Sequence, residues 1–379
     1  MKGFTYPLLS QITPHWFAVA SPGLQDAVAE EFRRVVPGLD MVVCPAGVEF
    51  ATAPDIVRQA LPWLRVTTRV WRRVAQTKAR AFGELERKWA DLPWADYVTA
   101  GSTLRIDVAV AHCRLFHSGA LKERLKVAVG QSVALEQGEG QHSEVRLLVR
   151  GEHDVFQVSV DASGDRLNVR GYRQEVGKAP LRETLAAGML SLCGWTPNEP
   201  LVDPMCGSGT VPIEAALGAL SLPSGDRDFA MDLWPCFALG DSARDAGVSL
   251  PHPGPAPLLV LGADRDALMV ERAKRNAARA RVDHALRFET RSFAELLPPA
   301  ARGLLLFNPP YGHRIGSPAG LTQHFEAIGR TLAKSWGGWR AGILLPKGAV
   351  IRGPGLKAIA RQPLSNGGLP VELVQLAVQ

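Results

Sequence analysis

Leu201-Val202-Asp203-Pro204-Met205-Cys206-Gly207-Ser208-Gly209-Thr210-Val211-Pro212-Ile213-Glu214-Ala215-Ala216 reads as the end of a short apolar strand, a tight glycine-rich turn and the start of a helix. Val211, Ile213 and Leu217 are spaced to pack that helix back onto a sheet. Asp203 then stands at the carboxyl end of the strand, where open α/β sheets bind ligands, and Gly207 and Gly209 let the backbone turn sharply and a ligand come close. The stretch marks a nucleotide cleft without saying which nucleotide.

Downstream, Leu258 to Ala263 is a buried strand ending in Asp264, with a helix from Leu268 to Ala280. Leu304 to Phe307 is another buried strand and ends in Asn308-Pro309-Pro310-Tyr311, while Ala341 to Leu345 and Val371 to Val378 supply further strands. Strands alternating with helices predict a doubly wound, mainly parallel α/β sheet of Rossmann-like type. The stretch Leu222 to Pro257, rich in Pro and Gly, is expected to be a surface insertion rather than core. It accounts for Asp264 standing 61 positions after Asp203, against roughly 20 in a dinucleotide fold. With no third glycine after Gly209, a dehydrogenase is disfavoured.

The tetrapeptide Asn308 to Tyr311 carries the chemistry. Methylating an exocyclic amine requires a lone pair, normally delocalised into the base, to be turned toward an electrophilic methyl group. The amide oxygen of Asn308 and the carbonyl of Pro309 can accept the two N–H bonds, Pro310 stiffens the turn, and Tyr311 offers a face for a base taken out of its helix. Neither a metal nor a covalent nucleophile is required.

The amino-terminal half is organised differently. A strand from His15 to Ala20, a helix from Leu24 to Val36, strands at Met41 to Cys44 and Val48 to Ala51, and a helix near Pro54 to Leu61 suggest a small ferredoxin-like α+β unit. Arg65, Arg69, Arg72, Arg73, Lys78 and Arg80 follow with no acid among them and with Trp71 inside the run. Two readings stand: a basic, aromatic surface for phosphates and bases, or an edge strand kept soluble by charge. Arg114-Leu115-Phe116-His117-Ser118-Gly119 leads into a basic helix with Lys122, Arg124 and Lys126, a second candidate phosphate-binding face. Arg146 to Val149 and Val155 to Val160 form a hairpin, Arg166, Arg170 and Arg173 continue the basic character, and Glu175 to Pro180 resembles a linker before a helix from Arg182 to Cys193.

The totals agree with a folded chain of two or three domains: 379 residues, 46% apolar, 21% charged and a net charge of +6, which suits a polyanionic partner. No apolar run reaches the roughly 18 residues of a membrane span, and Met1-Lys2-Gly3-Phe4-Thr5 lacks a signal-peptide pattern, so a cytoplasmic protein is expected. Cys44, Cys113, Cys193, Cys206 and Cys236 form no CxxC pair and are expected to be buried thiols. His112, Cys113 and His117 lack a second ligand pair at zinc spacing, so no metal site is expected.

Together these motifs resemble the THUMP-containing class I S-adenosylmethionine-dependent RNA methyltransferases that modify guanine N2. The resemblance covers nearly the whole chain: Leu115-Phe116-His117-Ser118, the Asp161-Ala162-Ser163-Gly164 to Arg170-Gly171-Tyr172-Arg173 block, Ala179-Pro180-Leu181-Arg182-Glu183-Thr184-Leu185-Ala186-Ala187, Asp203 to Thr210, Asn308 to Tyr311 and Asn366-Gly367-Gly368-Leu369-Pro370. It implies a ferredoxin-like domain over 1–64, a THUMP RNA-binding domain over 65–172 and a Rossmann-like methyltransferase domain over 173–379. By the same resemblance Asp203, Pro204, Met205, Cys206, Gly207, Gly209, Thr210, Asp264 and Ser292 line the S-adenosylmethionine site, with Thr184 near its methionine end, and Asn308 to Tyr311 hold the target guanine. Arg72, Arg73, Arg114, Lys122, Arg124, Lys126, Arg170 and Arg173 are the expected RNA-binding residues.

In layout the chain is similar to the half of a bacterial large-subunit ribosomal RNA methyltransferase that makes N2-methylguanosine. Some members carry a second methyltransferase domain downstream, and none is expected within these 379 residues. Two positions depart from the family pattern. Ser292 stands where relatives place an acid for the adenine amine, so that Glu289 or a main-chain group is a candidate replacement, and Gly312-His313-Arg314 replaces Gly-Glu-Arg. Ribosomal RNA is the favoured substrate, transfer RNA the alternative, and a non-catalytic RNA-binding ribosome-assembly factor the competing class.

Overall fold

The computed structural model describes residues 15–135, 144–175, 181–237, 248, 259–311 and 318–379. The amino-terminal part opens with β1 (His15–Val19), whose Trp16 and Ala18 face the core, and α1 (Gln25–Val35), which buries Val28, Phe32 and Val35. Then come β2 (Met41–Cys44), β3 (Gly47–Ala51), α2 (Pro54–Ala60), β4 (Arg69–Lys78), α3 (Phe82–Ala90), β5 (Thr103–Ala111), α4 (Ser118–Gly130), β6 (Glu144–Glu152) and β7 (Val155–Asp161). These strands make a seven-stranded sheet in the order β2-β3-β1-β4-β7-β6-β5, antiparallel except for the β5–β6 pair. The sheet runs straight through residue 64, because β4 pairs with β1 with Trp16 opposite Arg72. Strands on both sides of the expected boundary at residue 64 therefore share one sheet.

That placement corrects the edge-strand reading of the Arg65 to Arg80 run, since β4 lies inside the sheet between β1 and β7. Its charges meet acids from strands far away in sequence: Arg69 pairs with Asp161, and Arg73 Nη1 lies 2.8 Å from Glu49 Oε1. Arg72 Nη1 donates to the carbonyls of His15 and Arg73, each at 3.1 Å, and its guanidinium lies 5.5 Å over the Trp16 ring. Trp71 is buried.

The carboxyl-terminal part comprises α5 (Glu183–Leu192), β8 (Leu201–Asp203), α6 (Thr210–Ala219), β9 (Val260–Asp264), α7 (Ala267–Arg279), β10 (Arg287–Thr290), β11 (Leu304–Phe307), α8 (Pro318–Ser335), β12 (Arg340–Pro346), β13 (Leu356–Asn366) and β14 (Leu369–Val378). The sheet order is β10-β9-β8-β11-β12-β14-β13. Its first five strands are parallel, and β14 is antiparallel to both neighbours. This is the Rossmann-like α/β architecture, with strand order reversing between β8 and β11 and a crevice at that switch point. Both faces are covered, which is why the strands read as unbroken apolar runs. Leu201, Val260, Leu304 and Leu306 pack on the α5 and α6 side, while Val202, Leu261, Leu305 and Phe307 pack with Phe325, Ile328 and Leu332 of α8.

A buried ionic network joins the two sheets. Arg170 Nε donates to Glu214 Oε1 (2.8 Å), its Nη2 donates to the Arg65 carbonyl (2.6 Å), and the Tyr172 hydroxyl donates to Glu214 Oε1 (3.0 Å). Arg65 Nη1 lies 3.6 Å from Glu214 Oε2, and burial lowers the Arg65 pKa to about 10. Glu31 of α1 accepts from the amides of Val66 (2.8 Å) and Thr67 (3.1 Å) and from the Thr67 hydroxyl (2.9 Å). Arg170 is thus a fully buried structural cation, and Arg173 is occupied by Glu183 at 2.9 Å. Neither is available to bind RNA as the sequence suggested.

The insertion expected after Leu222 is also corrected in its first part. Phe229, Met231 and Trp234 are buried, and Trp234 stacks on Trp16 (6.2 Å) and meets Tyr97 edge-on (5.1 Å). Met231 donates its amide to the Ala162 carbonyl (3.1 Å), so this segment straps onto the amino-terminal sheet. Single large side chains anchor it without periodicity, which hid it from a pattern-based reading. Residues 238–247 and 249–258 lie outside the described residues. At the expected linker, Glu175 is held by Arg275 (2.6 Å) and Arg279 (2.9 Å) of α7, which lower its pKa to about 2; residues 176–180 lie outside the described set. Cys44, Cys193 and Cys206 are buried as expected, whereas Cys113 is half-buried and Cys236 exposed.

Candidate active site

Asp203, the last residue of β8, is buried, and its Oδ1 accepts from the Met205 amide (3.1 Å). Burial, reinforced by Asp264, raises its pKa well above the usual carboxylate range. The turn then passes through Gly207 (φ +53°) and Gly209 (φ +85°), the latter capping α6 in the left-handed region. Asp264, at the end of β9, accepts from the Gly207 amide (2.9 Å) through Oδ2 and from the Asp266 amide (3.0 Å) through Oδ1. Each oxygen keeps a lone pair for a ligand hydroxyl. From α7, the buried Asn276 donates to the Ser208 carbonyl (3.1 Å), pinning the loop from behind.

A Cβ at Gly209 would fall 2.9 Å from Ala273 Cβ and 3.3 Å from its Cα. Gly209→Ala therefore combines left-handed strain with a clash against α7. Its expected cost is about 2 kcal/mol of stability, read as a lower melting temperature with weaker cofactor binding.

The loop and three strand ends enclose a cavity of about 910 Å³. Asp203, Pro204, Met205, Cys206, Gly207, Thr210, Asp264 and Ser292 line it, as do Asn308 and Pro310. Gly209 supports the loop from outside that wall, and Thr184 is buried within α5, with Leu181 lining the cavity in its stead. The Cys206 thiol is pushed well above its usual range by burial, then by Asp203 and Asp264, which fits a small lining side chain and not a nucleophile. Ser292 donates its hydroxyl to Glu295 Oε2 (2.7 Å).

At the end of β11, Asn308 Oδ1 is buried and has no hydrogen-bond partner among the described residues. A bare acceptor in a cavity wall is costly unless a donor meets it. Pro309 is buried, and the Tyr311 hydroxyl accepts from Asn366 Nδ2 at 2.8 Å. Asn366 lies at the β13–β14 turn, which gives the Asn366-Gly367-Gly368 segment a positional role. His313 lies outside the described residues.

Several wall residues had no sequence signal. Gly320, His324, Ala327, Ile328 and Thr331 of α8 face the cavity at helical spacing, but the stripe mixes small, polar and apolar side chains and is not an apolar face. Among the expected RNA contacts, Arg114, Lys122, Arg124 and Lys126 are exposed, with Arg124 Nη1 2.6 Å from Glu86 Oε2. No group of three His, Cys, Asp or Glu side chains is placed to hold a metal among the described residues, and no helix there is long and apolar enough to cross a membrane.

A reversed parallel sheet with its cavity at the switch point, an acid ending each of two strands and Asn-Pro-Pro-Tyr ending a third define a methyltransferase-type domain. The chain belongs to the UPF0020 family of RMKL-like methyltransferase domains, whose pattern matches residues 170–373. It is 32% identical to slr0064 of Synechocystis sp., named as a candidate RNA methyltransferase, over 97% of each chain. It is 31% identical to the ribosomal RNA large subunit methyltransferase K/L of Syntrophotalea carbinolica, covering 96% of this chain and 53% of that protein. The chain thus spans about half the length of this relative. The crystal structure of SMU.472, named as a candidate methyltransferase and complexed with SAH, superposes with a TM-score of 0.83 at 28% identity, covering 98% of this chain and 99% of that one.

Proposed function

We propose that this chain is an S-adenosylmethionine-dependent RNA methyltransferase forming N2-methylguanosine, with large-subunit ribosomal RNA as its substrate. The unpartnered Oδ1 of Asn308, in the same cavity wall as Asp203 and Asp264, carries this reading. S-adenosylmethionine supplies an electrophilic methyl group. The glycine turn admits it, Asp264 offers acceptors to ribose hydroxyls, and Asp203 lies at the end that receives a charged amine. Asn308 Oδ1 and the Pro309 carbonyl accept the two N–H bonds of the guanine amine and aim its lone pair at the methyl group. Tyr311, anchored by Asn366, stacks on the flipped base. After transfer the amine releases one proton to water.

Residues 1–64, 65–172 and 173–379 serve as ferredoxin-like, THUMP and methyltransferase domains in this reading. RNA is gripped by Arg114, Lys122 and Lys126 around Phe116, whose side chain is 72% exposed and free to stack on a base. Replacing both Lys122 and Lys126 with Ala is expected to weaken RNA binding and to lower the salt slope of log K by about 1.5. Affinity for the methyl donor stays unchanged, and both are read by titration at several salt concentrations. The names of the K/L relatives support ribosomal RNA. Incubation with methyl-labelled donor and either large-subunit RNA or transfer RNA tests the choice: label in ribosomal RNA alone supports it, and label in transfer RNA alone replaces it.

A further inference from the structure

Asn366, whose Nδ2 donates to the Tyr311 hydroxyl, ends β13 at a two-residue turn, and its cross-strand partner at the start of β14 is Leu369. Gly367 (φ +60°) and Gly368 (φ +89°) supply the positive φ that a tight hairpin turn requires at both central positions, so the tip is stiff. Residues directly opposite in a ladder share a face, and the strand period of two puts this pair on the same face as Leu364 and Val371. Both of those are buried in the core against which Tyr311 packs. The same face is turned toward the amino-terminal half, because Gln362 Nε2 donates to the Gly23 carbonyl (3.2 Å). Leu369 thus stands beside Tyr311 on its side of the sheet, yet it is 59% exposed. Lys347, also exposed, is fixed next to the tip by its amide, which donates to the Pro370 carbonyl (3.3 Å). The hairpin therefore presents an apolar side chain and a cation beside the residue proposed to receive the flipped base.

We infer that Leu369 is a wedge for base extrusion. As the target guanine leaves its helix for the face of Tyr311, the Leu369 side chain enters the gap and packs on the neighbouring base, with Lys347 meeting the adjoining phosphate. The assignment rests on the RNA methyltransferase reading above. Taking a base out of a paired stack costs unstacking and unpairing, and much less when the base is already unpaired. An apolar side chain inserted at the vacated step offsets that cost by covering the faces left bare. Leu369 therefore matters far more for a paired guanine than for an unpaired one.

Single-turnover methylation of two short RNAs by the full chain tests this. One is the RNA segment in which the label is found, with its target guanine paired to cytosine; the other is the same strand with an abasic position opposite that guanine. Leu369→Ala is expected to slow reaction of the paired RNA about tenfold more than that of the unpaired one. Leu369→Met, which restores an apolar side chain of similar length, should bring the ratio of the two rates to within about twofold of wild type. Donor titrations and melting curves of both variants are expected to match wild type. Equal losses on the two RNAs, no loss on either, or a Leu369→Met protein as selective against paired RNA as Leu369→Ala would overturn the wedge alone. So would wild-type protein that methylates only the unpaired RNA. Wild-type protein that methylates no RNA overturns the methyltransferase reading and the wedge with it.

Discussion

Asn308→Ala is expected to lower the rate of methyl transfer by about 10²–10³-fold, the scale seen when one oriented partner of a developing charge is removed. Affinity for the methyl donor should change less than threefold. The two effects separate because Oδ1 of Asn308 has no hydrogen-bond partner among the described residues, while the donor cradle is built independently. Asp264 braces Gly207, Asn276 holds the Ser208 carbonyl, and Met205 donates to Asp203. Single-turnover rates and donor titrations on the same preparation read both quantities. Equal losses in the two would make Asn308 a donor-binding residue and remove it from the acceptor role.

Arg170→Ala should destabilise the protein by about 3–5 kcal/mol, because it leaves Glu214 buried beside a partner 3.6 Å away and withdraws the bonds that tie residue 65 to α6. A drop in melting temperature of roughly 5 °C is expected. At temperatures where the variant is folded, its RNA affinity and salt slope should match wild type. An Arg170→Ala protein with normal melting and reduced RNA affinity would return Arg170 to the nucleic-acid surface and contradict the buried network.

This residue shows where the sequence was and was not legible. Arg170 and Arg173 lie within a basic segment, and nothing in the linear order reveals that Glu214 and Glu183 fold against them. The same holds for Arg69 with Asp161 and Arg73 with Glu49, whose pairings lie on β4, an interior strand laddered to β1 and β7. Lys122 and Lys126 lie on the exposed face of α4. The Rossmann-like half was legible because strands buried on both faces, such as Leu304 to Phe307, are continuous apolar runs that stop at a polar residue. β13 was not, since it is mostly exposed and contains Pro363. The strand-end residues Asp203, Asp264 and Asn308 could be placed in one crevice from sequence alone, because parallel topology brings carboxyl ends together. The α8 wall with His324 could not, as its position depends on how that helix crosses the sheet.

The central claim is that the Asn308 acceptor directs methylation to the exocyclic amine of guanine. Large-subunit RNA treated with the protein and methyl-labelled S-adenosylmethionine, then digested to nucleosides and resolved against standards, tests it most directly. The label is expected to co-elute with N2-methylguanosine and to vanish with Asn308→Ala. Label in any other nucleoside, or N2-methylguanosine formed undiminished by the variant, would contradict the account.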